Sequence, residues 1–201
     1  MGKTKRKSIP ITPQALDSLA APLQALQNLL GQFDQHGVIV GGIAASFLGT
    51  PRYTVDLDAV FLLSIEDLPK FLEMAAQQGI EPRIADAIAF ARQSRVLLLK
   101  HVASGTAIDI SLGMLPFEVE MIERSQMFDL GGIQLRLPTS EDLIIMKAVA
   151  RRPKDLEDIR AIVAKQPFLD KKRIRFWLEQ FGEALDWPEL WREIEKLLLM
   201  I

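Results

Sequence analysis

Two carboxylates one residue apart, Asp56 and Asp58, follow a Gly41-Gly42 pair and a short apolar stretch. Alternate residues of a strand project to the same side, so both acids face one way while Leu57 and Ala59 face the other. Carboxylates held side by side repel unless a cation lies between them, and oxygen donors of this kind suit Mg²⁺ or Mn²⁺. Mg²⁺ commonly completes its shell with phosphate oxygens, which points to a nucleoside triphosphate as the partner. The glycine pair fits that partner. Gly41 and Gly42 let the backbone approach a ligand closely, and the N-terminus of the helix that follows favours a phosphate. Ser46 offers a hydroxyl one turn into that helix, and Arg52 and Thr54, just before the acidic pair, can contact phosphate or base.

A third acid, Asp109, lies inside the apolar run Ala107-Ile108-Asp109-Ile110. A carboxylate there is costly to bury without a partner. If its strand lies beside the one carrying Asp56 and Asp58, three carboxylates converge into a two-metal site for in-line displacement at phosphorus. Asp109 can equally serve as general base on an acceptor hydroxyl.

The elements that must position these residues follow from patterning. Leu16, Leu19, Leu23, Leu26, Leu29 and Leu30 recur at helical spacing between Pro13 and Phe33. Val38-Ile39-Val40 reads as a buried strand, Ile43 to Leu48 as a short helix, and Thr54 to Phe61 or Leu62 as the next strand. Ser64 is expected to cap a helix from Ile65 to Gln78, ended by Gly79. Ile84 to Ala91 reads as a short helix. Strands Arg95 to Val102 and Thr106 to Leu112 form a hairpin, and Met127 to Leu130 with Ile133 to Leu137 form a second. A helix opens at Pro116. After Pro138 only helices are expected: Leu143 to Ala150 after a capped start at Thr139-Ser140-Glu141-Asp142, then about Lys154 to Ala164, Asp170 to Ala184 and Pro188 to Leu199. Strands followed by helices suggest an α+β fold with a helical C-terminal part. The expected division is a basic tail over 1–12, a core over 13–137 and a helical region over 138–201. Trp177, Trp187 and Trp191 fall in the last helices and read as packing residues.

Composition is that of an ordinary soluble domain: 201 residues, 49% apolar, 25% charged, net charge −2. The charge excludes a wholesale electrostatic nucleic-acid binder. Lys3, Lys5, Arg6 and Lys7 read as a solvated leader in preference to an RNA-binding arm. The absence of cysteine excludes disulfides and thiolate metal sites and fits a cytoplasmic protein. The apolar runs are too short for a membrane span, and no apolar segment of a signal peptide follows the basic leader.

Gly41-Gly42 followed fourteen residues later by Asp56-X-Asp58 resembles the nucleotidyltransferase superfamily of the polymerase β type. Glu141-Asp142-Leu143-Ile144-Ile145-Met146-Lys147, followed by Arg151-Arg152-Pro153-Lys154-Asp155-Leu156-Glu157-Asp158, is similar to a region of the AbiEii-type toxins and related small bacterial nucleotidyltransferases. The resemblance spans about residues 38–163. It implies a mixed sheet flanked by helices, with the acids on adjacent strands. It also implies transfer of a nucleoside monophosphate from an NTP with release of pyrophosphate. Asp56, Asp58 and Asp109 would be the metal-binding acids, and Lys147 would reach the triphosphate. Asp155 and Asp158 would lie near the nucleotide or hold the helices against the site. Lys154 stands where the branch usually has arginine, and Gly42 where the superfamily often has serine.

The resemblance further implies an RNA, protein or small-molecule acceptor and a role in a toxin–antitoxin or phage-defence pair with a cognate antitoxin. On the residues alone, Lys147 reads as solvated, and Arg151, Arg152 and Lys154 against Asp155, Glu157 and Asp158 read as a surface ion-pair cluster. A non-catalytic nucleotide-binding regulatory module is the alternative, motivated by the missing serine. A glycosyltransferase using Asp-X-Asp for a nucleotide sugar is the third reading, disfavoured by the chain's length.

Overall fold

In a computed structural model of the chain, residues 13–33 and 36–199 are described. The leader over 1–12, with Lys3, Lys5, Arg6 and Lys7, falls outside them. Helix α1 (Pro13–Gln32) leads to strand β1 (Gly37–Ile39), helix α2 (Gly41–Leu48) and strand β2 (Asp56–Phe61). Helix α3 (Leu68–Gln77) and the short strand β3 (Ile80–Pro82) follow, then helix α4 (Ala87–Ser94). Strands β4 (Val96–His101) and β5 (Ala107–Leu112) form the expected hairpin, followed by helix α5 (Pro116–Arg124). Strands β6 (Gln126–Leu130) and β7 (Ile133–Leu137) precede four helices: α6 (Ser140–Ala150), α7 (Pro153–Lys165), α8 (Lys171–Ala184) and α9 (Leu190–Leu198). The α+β expectation holds: among the described residues every strand precedes Pro138 and only helices follow it.

The main sheet has the order β1-β2-β5-β4-β3. Strands β2 and β5 run parallel, and the other neighbours in this sheet are antiparallel, so it is mixed. One face is apolar across β2, β5 and most of β4: Leu57, Ala59 and Phe61 line up with Ile108, Ile110, Leu97 and Leu99, all 1% exposed or less. Phe71 of α3 stacks edge-on against Phe61 at 5.1 Å and tilted against Phe33 at 5.1 Å. The opposite face of β2 and β5 carries the alternate residues, including Asp56, Asp58 and Asp109, and is half-buried. Strands β6 and β7 make a separate two-stranded sheet.

Local chemistry explains where elements start. Thr139 caps α6, its hydroxyl accepting from the Asp142 N–H at 3.2 Å, and Asp170 caps α8 through the N–H groups of Lys172 and Arg173. Elsewhere the boundaries move. Helix α3 starts at Leu68, three residues later than expected, because Pro69 suits a first turn and the Ser64 hydroxyl instead closes a turn with Asp67. Helix α4 begins at Ala87 rather than Ile84. Strand β3 was not expected at all. Its three residues carry no period of their own and are held by pairing with β4.

The C-terminal helices are tied together by buried charge. Asp142 is fully buried on α6, and Arg173 of α8 donates to it at 2.7 Å and to Glu120 at 2.7 Å. Trp177 packs edge-on against Phe117 at 5.3 Å, which agrees with a packing role. Replacing Arg173 by methionine leaves the Asp142 carboxylate buried with weaker partners. Urea unfolding of Arg173→Met should show a loss of about 3 kcal/mol.

Candidate active site

The register of β2 and β5 sets the site. Asp58 is the direct neighbour of Asp109 across the parallel pair, and Asp56 is the neighbour of Ala107. Cross-strand neighbours share a face, so the three acids look the same way. The loop before β2 is anchored from both sides. Thr54 donates its hydroxyl to Asp56 Oδ1 at 2.9 Å. Ser46 is 1% exposed, and its hydroxyl accepts from the Arg52 N–H at 3.3 Å and donates to the Arg52 carbonyl at 3.2 Å. The Ser46 hydroxyl is thus engaged by the Arg52 backbone.

Gly41 and Gly42 form the first turn of α2 rather than preceding it. Gly41 has a φ of +60°, and a Cβ there would fall 1.8 Å from Asp58 Oδ2. A Cβ on Gly42 would fall 2.5 Å from the Thr54 hydroxyl oxygen. The glycines are therefore needed because the acidic strand lies directly against their backbone.

The cations come from the loop before β2 and from the helical region. Arg52 grips Asp158 with two bonds, Nε to Oδ1 at 2.8 Å and Nη2 to Oδ2 at 3.0 Å. Lys147, only 4% exposed, donates to Asp158 at 2.6 Å and to Asp155 at 3.3 Å. Arg152 forks onto Asp155 at 2.7 and 3.2 Å, and its own N–H donates to the same carboxylate at 3.1 Å. The result is one chain of charge, Arg52–Asp158–Lys147–Asp155–Arg152. It replaces the solvated Lys147 and the surface cluster that the residues alone suggested. Arg151 leaves this group: it lies 4.2 Å over the Trp187 ring and pairs with Glu193 at 2.5 Å. Lys154 is exposed, and its charge acts on Asp58.

Burial alone would push the Asp158 carboxyl up, but the bonds from Arg52 and Lys147 outweigh it and hold the group below its ordinary value. Asp155 follows the same logic, with burial overcome by Arg152 and Lys147. Asp58 goes the other way. Burial, then the charges of Asp56 and Asp109, raise its carboxyl above the usual range, against the pull of Arg152 and Lys154. A cavity of about 170 Å³ opens here, between Gly41, Asp58 and Asp109 on the sheet side and Met146, Lys147 and Arg152 on the helix side.

One pairing was missed from sequence. Arg83, in the loop after β3, pairs with Asp109. Its only sequence signal is a lone arginine after Pro82. As the side chains stand, no three histidine or acidic residues among the described residues are grouped to hold one metal ion. Arg152, which the sequence reading placed in a surface ion-pair cluster, forks onto Asp155 at the site's rim.

The fold is that of a nucleotidyltransferase. It is similar to an antigenic nucleotidyltransferase-like protein from Paracoccidioides brasiliensis, with a TM-score of 0.55 at 15% identity over 90% of this chain and 92% of that one. It is also similar to the antibiotic-resistance factor ANT(2'')-Ia, with a TM-score of 0.59 at 12% identity over 86% of this chain and 95% of that one. The chain belongs to the family described as nucleotidyltransferase of unknown function (DUF6036), whose model matches residues 16–171. Family membership favours a nucleotidyltransferase over a glycosyltransferase. None of the curated proteins matches the sequence. No helix among the described residues is long and apolar enough to cross a membrane.

Two outcomes follow from this geometry. Gly41→Ala must both adopt a left-handed backbone, at about 1–2 kcal/mol, and displace Asp58, so thermal melting should show a loss at least that large. Asp58→Asn should melt higher than the wild type at pH 7. The folded-state value of Asp58 is raised, so its ionisation opposes folding above that value and is harmless below the unfolded one. The gain should therefore fade as the pH falls through the carboxylate range.

Proposed function

We propose that this chain moves a nucleoside monophosphate from an NTP onto an acceptor hydroxyl, with Mg²⁺ or Mn²⁺ held by Asp56 and Asp58. The observation that carries this reading is the register of Asp58 beside Asp109, directly under the Gly41 backbone. The donor set fits a hard divalent cation. Asp56 and Asp58 present carboxylate oxygens on one face of β2, with Asp109 beside Asp58 on β5. Bound there, the ion would draw charge from the phosphate oxygens and favour in-line displacement.

The chain's own residues supply the rest. The first amides of α2, at Gly41 and Gly42, face the triphosphate. Lys154 and Arg152 attract it by charge, and Arg52, Lys147, Asp155 and Asp158 hold the helices over the sheet so that these groups converge. Asp109 takes the proton from the acceptor hydroxyl. The acceptor oxygen bonds to the α-phosphorus, the bond to the bridging oxygen breaks, and pyrophosphate leaves. In this reading residues 13–137 form the catalytic core, and the helices from 138 onward bring its cations.

For the acceptor, the AbiEii-like stretch from Glu141 to Asp158 supports RNA or protein, and with it a cytoplasmic toxin or phage-defence role opposed by a cognate antitoxin. One structural relative is an antibiotic-resistance factor, which supports a small-molecule hydroxyl as the other class. Incubation with labelled NTPs, Mg²⁺ and cell extract, split into RNA, protein and small-molecule fractions, identifies the class. Label should appear in one fraction and should vanish with Asp56→Ala. Equal labelling by that variant would overturn the assignment of Asp56.

A further inference from the structure

Asp109 faces the same side as Asp58, yet its partner comes from the far edge of the sheet. Arg83 follows β3, and its N–H donates to the Leu98 carbonyl at 2.8 Å, which fixes its backbone against β4. Strand β4 lies between β3 and β5, so the guanidinium reaches across a whole strand to pair with Asp109. The cations of the charge chain are differently placed. Arg52, Lys147 and Arg152 bond to Asp155 and Asp158, which are buried acids off the metal-facing strands. Arg83 alone among these four holds one of the three strand acids. The pair is also open to water, with side-chain exposures of 33% and 40%. An ion pair that exposed is weak and exchanges readily.

We propose that Arg83 is a displaceable counter-charge that reserves Asp109 until the phosphate of an arriving nucleotide draws it off and opens the third carboxylate. The inference rests on the reading of Asp56 and Asp58 as cation ligands. A guanidinium forks onto phosphate as well as onto carboxylate, so Arg83 can exchange one partner for the other within the same site. With Arg83 on Asp109, the protein presents two strand carboxylates to a cation. With Arg83 on a phosphate, it presents three. The full acidic set is then assembled only in the presence of nucleotide, and Arg83 acts as a positioning residue for Asp109.

Mn²⁺ binding to the full chain, read by electron paramagnetic resonance of the free ion, tests this without turnover. Arg83→Met should bind Mn²⁺ roughly tenfold more tightly than the wild type, because one positive charge beside the acids is gone. The gain should be lost in the double variant with Asp109→Asn. Arg83→Lys, which keeps the charge, should bind as the wild type does, and Arg83→Gln repeats the test if the methionine variant misfolds. A non-hydrolysable NTP analogue should close the gap between wild type and Arg83→Met. Equal Mn²⁺ affinity in wild type, Arg83→Met and Arg83→Gln overturns the proposal, as does a gain that survives Asp109→Asn or a gap that the analogue leaves intact. Asp56→Asn separates the failures. A Mn²⁺ site that depends on Asp56 but ignores Arg83 sinks this inference alone, whereas a site indifferent to Asp56 sinks the cation-site reading with it.

Discussion

Three carboxylates on one face of two adjacent strands repel one another, and much of the structure around them answers that repulsion. The parallel register of β2 and β5 puts Asp58 beside Asp109, and the period of two puts Asp56 on the same side. Burial sharpens the conflict, which is why the Asp58 carboxyl is raised. Positive charge must come from somewhere. Arg83 supplies it to Asp109, the Thr54 hydroxyl solvates Asp56, and Arg152 and Lys154 act on Asp58 from the helical side. Gly41 is the steric counterpart of the same arrangement, since only a residue without a side chain leaves room for Asp58.

Arg152 is in place because a second set of acids holds it there, together with Arg52 and Lys147. Asp155 and Asp158 are buried, and each bonds two of the three groups Arg52, Lys147 and Arg152. Removing one member would leave a buried charge with less compensation, which costs more than a surface pair ever returns. The chain of charge also joins distant parts of the sequence. Arg52 in the loop before β2 and Asp158 on α7 are 106 residues apart. The network therefore does for the site what the Asp142–Arg173 pair does for α6 and α8: it fixes a helix against its neighbour by satisfying a carboxylate that would otherwise be buried alone.

Much of the fold was legible in the sequence, and for local reasons. The heptad-like leucines of α1, the hairpin turn between β4 and β5, the Thr139 and Asp170 caps and the strand-then-helix order are all written in short-range pattern. So was the acidic face, because the alternation of Asp56, Leu57, Asp58 and Ala59 fixes which side each points to once a strand forms. The glycine pair was legible too, although its reason, the close approach of Asp58, was not.

What only the tertiary structure decided is who partners whom. Strand β3 has three residues and exists because β4 pairs with it. The Ser46 hydroxyl looked available to phosphate until the loop folded back and the Arg52 backbone took it. Lys147 looked solvated until α7 laid Asp155 and Asp158 against it. Arg83 carried no signal, because its meaning lies in an acid 26 residues away and two strands over. Periodicity and turn chemistry are properties of neighbouring residues and can be read along the chain. Charge pairing depends on distance in space, and that distance is set only when the sheet register and the helix packing are both in place.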